Sequence, residues 1–355
     1  MKEFIPNKLP IEKDIETKEI LKKSILANSA LAKLNGIAKI IPNSNILINS
    51  LALQEAKDSS EIENIITTHD ELYKADLDIK HITNATKEVQ NYKNALLKGF
   101  RLVKENKLLL KKYIVEIQKE LEQNDAGVRK QSGTNLANAK TGEVIFTPPQ
   151  RFEDIEKLLA NLESYINEPN DIDPLINMAI IHYQFETIHP FYDGNGRTGR
   201  ILNILYLILN DLLDIPILYL SNYIIKNKVD YYRLLQEVRI KDTWEEWILY
   251  MLDGVEQTSL ETISLVNNIS ILMNQTKQEI KEKLPKIYSK DLIEILFYHP
   301  YTKIDFLVDG LGLHRETASK YLKEIESIGI LKSIKIGRGK YFINVKLFDR
   351  LRKGI

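Results

Sequence analysis

Twelve consecutive residues, HPFYDGNGRTGR from His189 to Arg200, gather one imidazole, one carboxylate, three glycines and two guanidiniums. The chain has 15 glycines in 355 residues, so three in twelve is a concentration that needs a physical reason. Glycine tolerates positive φ and lets backbone N–H groups approach a ligand without a Cβ in the way. Asp193-Gly194-Asn195-Gly196 reads as a tight turn, and apolar periodicity at Ile201, Leu202, Leu205 and Leu209 starts a helix from about Asn195. A glycine turn feeding a helix N-terminus suits an anion, because unpaired N–H groups and the helix dipole both point at it. Arg197 and Arg200 share one face of the first turn. Two cations there oppose the dipole, unless phosphates occupy the site and accept charge-assisted bonds from both. Asp193 then suits a divalent cation shared with phosphate oxygens. His189 is the neighbouring base with a pKa near working pH. Each feature alone has a bland reading: a His-Pro helix end, a turn, a solvated arginine pair. Their joint occurrence favours a site.

These side chains need elements to hold them. Residues 175–188 (LINMAIIHYQFETI) are apolar at Leu175, Met178, Ile181, Phe185 and Ile188, the pattern of a buried helix. Asp173-Pro174 supplies its N-cap and first-turn proline, and Pro190 should end it at His189, at the mouth of a loop. Further helices are expected over 14–36, 45–68 (one or two), 86–123 (a pair turning at 104–107) and 152–167. The first has Ile20, Leu21, Ile25, Leu31 and Leu34 at helical spacing and Gly36 as its stop. Residues 127–150 are rich in turn formers around a short β-type run (KTGEVIFTPP), which predicts a small hairpin inserted in a mainly α fold.

HPFYDGNGRTGR agrees at every defined position with the HPFx[D/E]GNGRxxR signature of the Fic family, which the chain therefore resembles. The resemblance implies a helical core with a β-hairpin flap, here about Thr134–Pro149, and a protein adenylyltransferase activity. Such an enzyme moves AMP from Mg2+-bound ATP to a Ser, Thr or Tyr hydroxyl of a target protein and of itself. By position, His189 is the general base, Phe191 a core anchor and Asp193 the Mg2+ ligand. Gly194, Asn195 and Gly196 form the phosphate nest, and Arg197 and Arg200 hold the distal phosphates. The implied ATP site also takes in Glu63, Thr198, Gly199 and, for the adenine pocket, Tyr232. The flap would hold the target segment main chain to main chain, as an added strand.

Upstream, Ser59-x-x-x-Glu63-Asn64 looks like the family's inhibitory motif, [S/T]xxxE[G/N], whose glutamate pairs with the second motif arginine, here Arg200. This resembles the N-terminally autoinhibited class: a carboxylate on Arg200 would compete with the γ-phosphate. In some relatives the same glutamate supports AMP removal. Blandly read, Ser59 and Glu63 are one polar helix face, and Tyr231-Tyr232 are core or surface aromatics. Trp244 and Trp247 read as packing residues. His182 reads as a satisfied core histidine, and His69, His81, His299 and His314 lack metal-ligand spacing.

Forty-nine basic residues balance 49 acidic ones, so any basic patch must be local. There is no cysteine and the N-terminal residues lack an apolar signal segment, which together lead to the expectation of a cytoplasmic protein. The most apolar run, 201–220, is broken by Asn203, Asn210, Asp211, Asp214 and Pro216, and reads as a buried helix plus connection with no membrane partner. Beyond the linker-like 281–289, helices at 290–298, 302–309 and 314–328 precede a hairpin turning at Gly337-Arg338-Gly339, the pattern of a winged helix-turn-helix. Between Gly312 and Tyr341 it has seven basic side chains (Arg315, Lys320, Lys323, Lys332, Lys335, Arg338, Lys340) against three acidic ones, which suits DNA; winged helices also serve protein contacts and homodimers. The expected division is 1–100 for a helical region with the inhibitory motif, 101–270 for the catalytic core and 271–355 for the winged helix. A different class of function is a DNA-binding regulator whose Fic-like domain only senses nucleotide.

Overall fold

The computed structural model describes residues 3–77, 83–137, 142–336 and 339–353. His81, the Lys140-Thr141 start of the expected hairpin turn and Gly337-Arg338 lie outside them.

The chain is mostly helical. In order come α1 (Lys18–Ile37), α2 (Ser44–Ile62), α3 (His69–Ala75), α4 (Asn84–Asn106) and α5 (Lys111–Glu122). A two-stranded antiparallel hairpin follows, β1 (Leu136–Ala137) with β2 (Val144–Phe146). Next are α6 (Phe152–Asn167), α7 (Pro174–Ile188), α8 (Asn195–Leu209), α9 (Leu220–Lys226), α10 (Lys228–Lys241) and α11 (Trp244–Lys283). The C-terminal part holds α12 (Lys290–Tyr298), β3 (Tyr301–Thr302), α13 (Ile304–Leu311), α14 (Arg315–Ser327), β4 (Leu331–Ile336), β5 (Gly339–Asn344) and α15 (Val345–Lys353). Its three strands form an antiparallel sheet in the order β3-β5-β4.

α7 and α8 form the buried centre. Every residue of α7 from Leu175 to Ile188 is buried, and Asp173 caps it by accepting from Leu175 N at 2.8 Å, ahead of Pro174. α8 is flanked by α4, α5 and α7, and α1 lies along the 40-residue α11. Trp247 is fully buried and donates to the Ala179 carbonyl at 2.9 Å, and Trp244 is buried against Tyr183, so both tryptophans pack as expected.

Two expectations change. Gly36 does not stop the first helix: α1 runs to Ile37 and continues into a 3-10 turn, Ala38–Ile40. Leu21 and Ile25 belong to the apolar pattern yet are 42% and 68% exposed, because α1 buries the stripe through Ile20, Ala27, Leu31 and Leu34 instead. α11 runs unbroken across residue 270 and α4 across residue 100. Among the described residues, no helix is long and apolar enough to cross a membrane.

Candidate active site

Two helix ends meet at one cavity. α7 terminates at His189, which takes left-handed backbone geometry (φ 48°) and donates its amide to the Phe185 carbonyl at 3.0 Å. α8 begins after Gly194, whose φ of 76° suits a residue without a Cβ. Between them, Asn195 Oδ1 accepts from Phe191 N at 2.8 Å and its Nδ2 donates to Phe191 O at 2.9 Å. The Asn195 side chain thus braces its own loop, and the buried Phe191 ring packs near Phe185.

A cavity of about 470 Å3 is lined by Glu63, Ile65, Glu88, Leu136, His189, Tyr192 and the run Asp193 to Arg197. Thr198, Gly199 and Arg200 follow as buried residues of α8. Gly199 serves close packing: a Cβ there would sit 2.5 Å from Glu186 Oε1 and 3.2 Å from the Phe185 ring. Tyr232 lies on α10, 44% exposed. It is not among the residues that line this cavity; burial first, then the Glu63 carboxylate, raises its phenol pKa.

His189 is held neutral. Burial, then the Arg129 and Arg239 guanidiniums, lower its pKa to about 4. Its Nδ1 is buried without a hydrogen-bond partner among the described residues. His182 differs: it is fully buried, bonds Tyr231 Oη at 2.7 Å and the Gly199 carbonyl at 3.2 Å, and has a pKa lowered to about 3 by burial. It is a satisfied core histidine.

Both motif arginines meet carboxylates of the chain itself. Arg200, 2% exposed, donates from Nε to Ser59 Oγ at 2.7 Å and from Nη2 to Ser59 O and Glu63 Oε1, each at 2.9 Å. Glu63 is the C-cap of α2, and Asn64 after it has φ 63°, a conformation that favours Asn or Gly. α2 is fixed from behind by polar contacts. Its buried Glu55 accepts from Ser221 N at 3.0 Å, at the start of α9, and burial raises that carboxyl's pKa to about 7. Asp58 accepts from Tyr219 Oη at 2.6 Å and Asn222 at 3.0 Å.

Arg197 pairs with Glu122 at the end of α5 (2.8 Å) and with Glu88 of α4 (3.2 Å). Sequence reasoning missed these partners, as it missed Glu186 and Arg129, since no local pattern links residues 75 and 109 positions away. A Cβ on Gly194 would meet Glu122 Oε1 at 2.3 Å, and one on Gly196 would meet Glu63 Oε1 at 2.5 Å. The glycine nest therefore accommodates two protein carboxylates, each beside an arginine.

Asp193 is the acidic residue of the motif loop that could meet a divalent cation beside this nest. Asp193 is exposed to the cavity, its Oδ1 accepts from Gly194 N at 2.7 Å, and Glu88 and Glu122 add negative charge nearby. Among the described residues no cluster of three or more His, Asp or Glu side chains could hold a metal by itself, so a cation here would share its shell with nucleotide oxygens.

On the C-terminal part, Ile304, Arg315, Glu316, Ser319, Lys320, Lys323, Glu324 and Ser327 line an open groove on α13 and α14. Two of its cations are already paired, Arg315 with Asp305 and Lys320 with Glu324 at 3.8 Å, and Lys340 on β5 pairs with Glu326 at 3.7 Å.

Two solved structures share this architecture. A Fic family protein from Desulfovibrio desulfuricans G20 superposes with a TM-score of 0.60 at 19% identity, over 95% of this chain and 98% of that one. Fic-1 of C. elegans (residues 134–508) gives 0.54 at 19% identity, over 70% and 73%. The fold is that of Fic proteins. In sequence, residues 106–207 match the Fic/DOC family, residues 21–101 its N-terminal region, and residues 272–347 the C-terminal domain described as protein adenylyltransferase SoFic-like. The chain belongs to the Fic/DOC family. A probable protein adenylyltransferase of Aquifex aeolicus is 28% identical over 220 residues, 59% of this chain and 61% of that protein. Protein adenylyltransferase Fic of Drosophila willistoni is 28% identical over 151 residues, 40% and 28%. The chain thus spans less than two thirds of either relative.

Proposed function

We propose that the protein transfers AMP from ATP to a protein hydroxyl, and that Glu63 restrains it by occupying Arg200. The observation supporting transfer is a neutral, buried His189 on the same cavity as the glycine nest and Arg197. Family membership and the names of the relatives support the same reading.

The target oxygen attacks the α-phosphorus in line, and the bond from that phosphorus to the bridging oxygen breaks, releasing pyrophosphate. His189 takes the hydroxyl proton, which general-base catalysis makes worth about 10²–10⁴-fold. The backbone amides after Asp193 and the guanidiniums of Arg197 and Arg200 orient the phosphates and offset their charge, so most of the catalysis is positioning. Asp193 would hold Mg2+, which supplies further charge neutralisation on the phosphates when bound. Flap residues β1 and β2 would align the target strand, with Leu136 at the cavity edge. Tyr232 would line the base.

Restraint follows from geometry. Arg200 has its Nε and Nη2 engaged by Ser59 and Glu63, so a γ-phosphate competes with Glu63 for the same guanidinium. Glu122 and Glu88 on Arg197 add to that restraint. The same Glu63 could instead serve AMP removal; the direction of labelled-AMP flow on a modified protein distinguishes the two. A pure nucleotide sensor needs the nest and the arginines but no neutral base at His189. DNA contact through α14, a homodimer, a cytoplasmic setting and the three-part domain division belong to this reading as proposals.

The test is incubation with Mg2+ and ATP labelled at the α- or the γ-phosphate. Protein-bound label from the α position alone is expected; label from the γ position alone would indicate a kinase and overturn the proposal.

A further inference from the structure

The approach to the flap contains a buried cation that the proposed reaction does not use. Residues 128–131 run antiparallel to the motif loop. Val128 forms a β-bridge with Phe191, Arg129 N donates to the Pro190 carbonyl at 2.9 Å, and Lys130 N donates to Tyr192 Oη at 2.9 Å. After four more residues, 132–135, the chain enters β1.

The Arg129 guanidinium crosses back over the loop. Its Nε donates to the His189 carbonyl at 2.8 Å and its Nη2 to the Pro149 carbonyl, three residues beyond β2. Arg129 is 0% exposed and its side-chain hydrogen bonds go to carbonyls, with the Glu3 carboxylate near enough to favour its charge, while its Nη1 has no hydrogen-bond partner among the described residues. Burying a guanidinium in this way is costly and demands a compensating role. One residue therefore ties the base's own carbonyl to the far end of the flap by its side chain, and to the near end by its backbone.

We propose that Arg129 is the positioning residue that fixes the general base His189 relative to the target-holding flap. The proposal rests on the reading of His189 as base. The charged groups facing His189 are Arg129 from the flap approach, Arg239 from α10 and Glu63 from the end of α2; Asp193, Arg197 and Glu88 share its cavity. Arg129 is the larger of the two guanidinium influences that keep the imidazole neutral, so its removal has an electrostatic signature besides a geometric one.

The test compares Arg129→Met and Arg129→Lys in the full chain, with two readouts. The first is self-modification with α-labelled ATP in a Glu63→Gly background, alongside ATP affinity by calorimetry. The second is the titration of His189 by NMR of 13C-histidine-labelled protein, assigned with His189→Ala. Arg129→Met should lower the self-modification rate by roughly 10- to 100-fold with ATP affinity unchanged, since misplacement near 1 Å has that effect. It should also move the His189 midpoint upward, while burial keeps it below the ordinary histidine value. Arg129→Lys should keep the low midpoint but not the full rate, because an ammonium cannot present the planar fork that spans two carbonyls. A folded Arg129→Met protein with unchanged rate and unchanged His189 titration overturns the proposal, as does a fully active Arg129→Lys protein should the methionine variant not fold. If Glu63→Gly shows no labelling, the transferase reading fails and the positioning claim falls with it, whereas a labelled Glu63→Gly protein whose rate Arg129→Met leaves unchanged overturns the positioning claim alone.

Discussion

Replacing Glu63 by glycine removes the carboxylate that holds Arg200. The contact is a single charge-assisted bond of 2.9 Å between a guanidinium 2% exposed and a carboxylate 36% exposed. A hydrogen bond to a charged group contributes about 1.5–3 kcal/mol when buried, and partial exposure of Glu63 reduces that to about 1–2 kcal/mol. Arg200 keeps its bonds to Ser59 Oγ and O, so the guanidinium should stay in place and become available to phosphate. At 1.4 kcal/mol per tenfold, productive ATP engagement should rise by about 5- to 30-fold. Asn64 already supplies the left-handed turn after α2, so glycine at 63 should leave the helix end intact. The assay is the initial rate of self-labelling with α-labelled ATP, beside the unfolding midpoint as a control. A rate unchanged within twofold, in a protein of unaltered stability, would refute the lock. A larger gain than 30-fold would mean that Glu63 does more than compete for one guanidinium.

Other outcomes follow from the same structure. His189→Ala should abolish labelling while ATP affinity, read by calorimetry, stays within about threefold, because the nest and the arginines remain. Gly199→Ala drives a Cβ to 2.5 Å from Glu186 Oε1 and 3.2 Å from Phe185; overpacking of this kind should cost about 1–3 kcal/mol in denaturant unfolding. The stability–pH profile has opposing contributions. His69, His189 and His299, lowered to about 4, and His182, lowered to about 3, are neutral in the fold. Below about 6.5 the unfolded chain binds protons that these four histidines refuse, so their contribution is present above 6.5 and lost as pH falls toward 4. Glu55 and Glu186, raised to about 7, act in the opposite sense, stabilising below the unfolded carboxylate range and losing that stability as pH rises through 7. The histidines outnumber the carboxylates, so the denaturation midpoint should fall between pH 6.5 and 4.5; a rise across that interval would contradict the assigned directions.

The sequence alone determined what depends on neighbours in the chain. The Asp173-Pro174 start of α7, its end at His189, the glycine turn and the start of α8 at Asn195 are capping and φ/ψ effects set within a few residues, and they were legible there. The C-terminal helices and hairpin were legible for the same reason, whereas α3, α9, the long α11 and α15 were not foreseen. Glu63 was placed against Arg200 through the family motif, not through any local physical signal. Only the tertiary structure decided the rest. Periodicity could not tell which stripe of α1 faces α11, so Leu21 and Ile25 were expected inside and are exposed. Glu55, Asp58 and Glu122 look like ordinary polar positions in sequence, yet each is buried or nearly so against a partner more than 70 residues away. Arg129 stands 60 residues before His189, and nothing short-range marks it. A charge acquires its role from what desolvates it and what it faces, and both are settled only when α2, α5 and the flap close over the loop from His189 to Arg200.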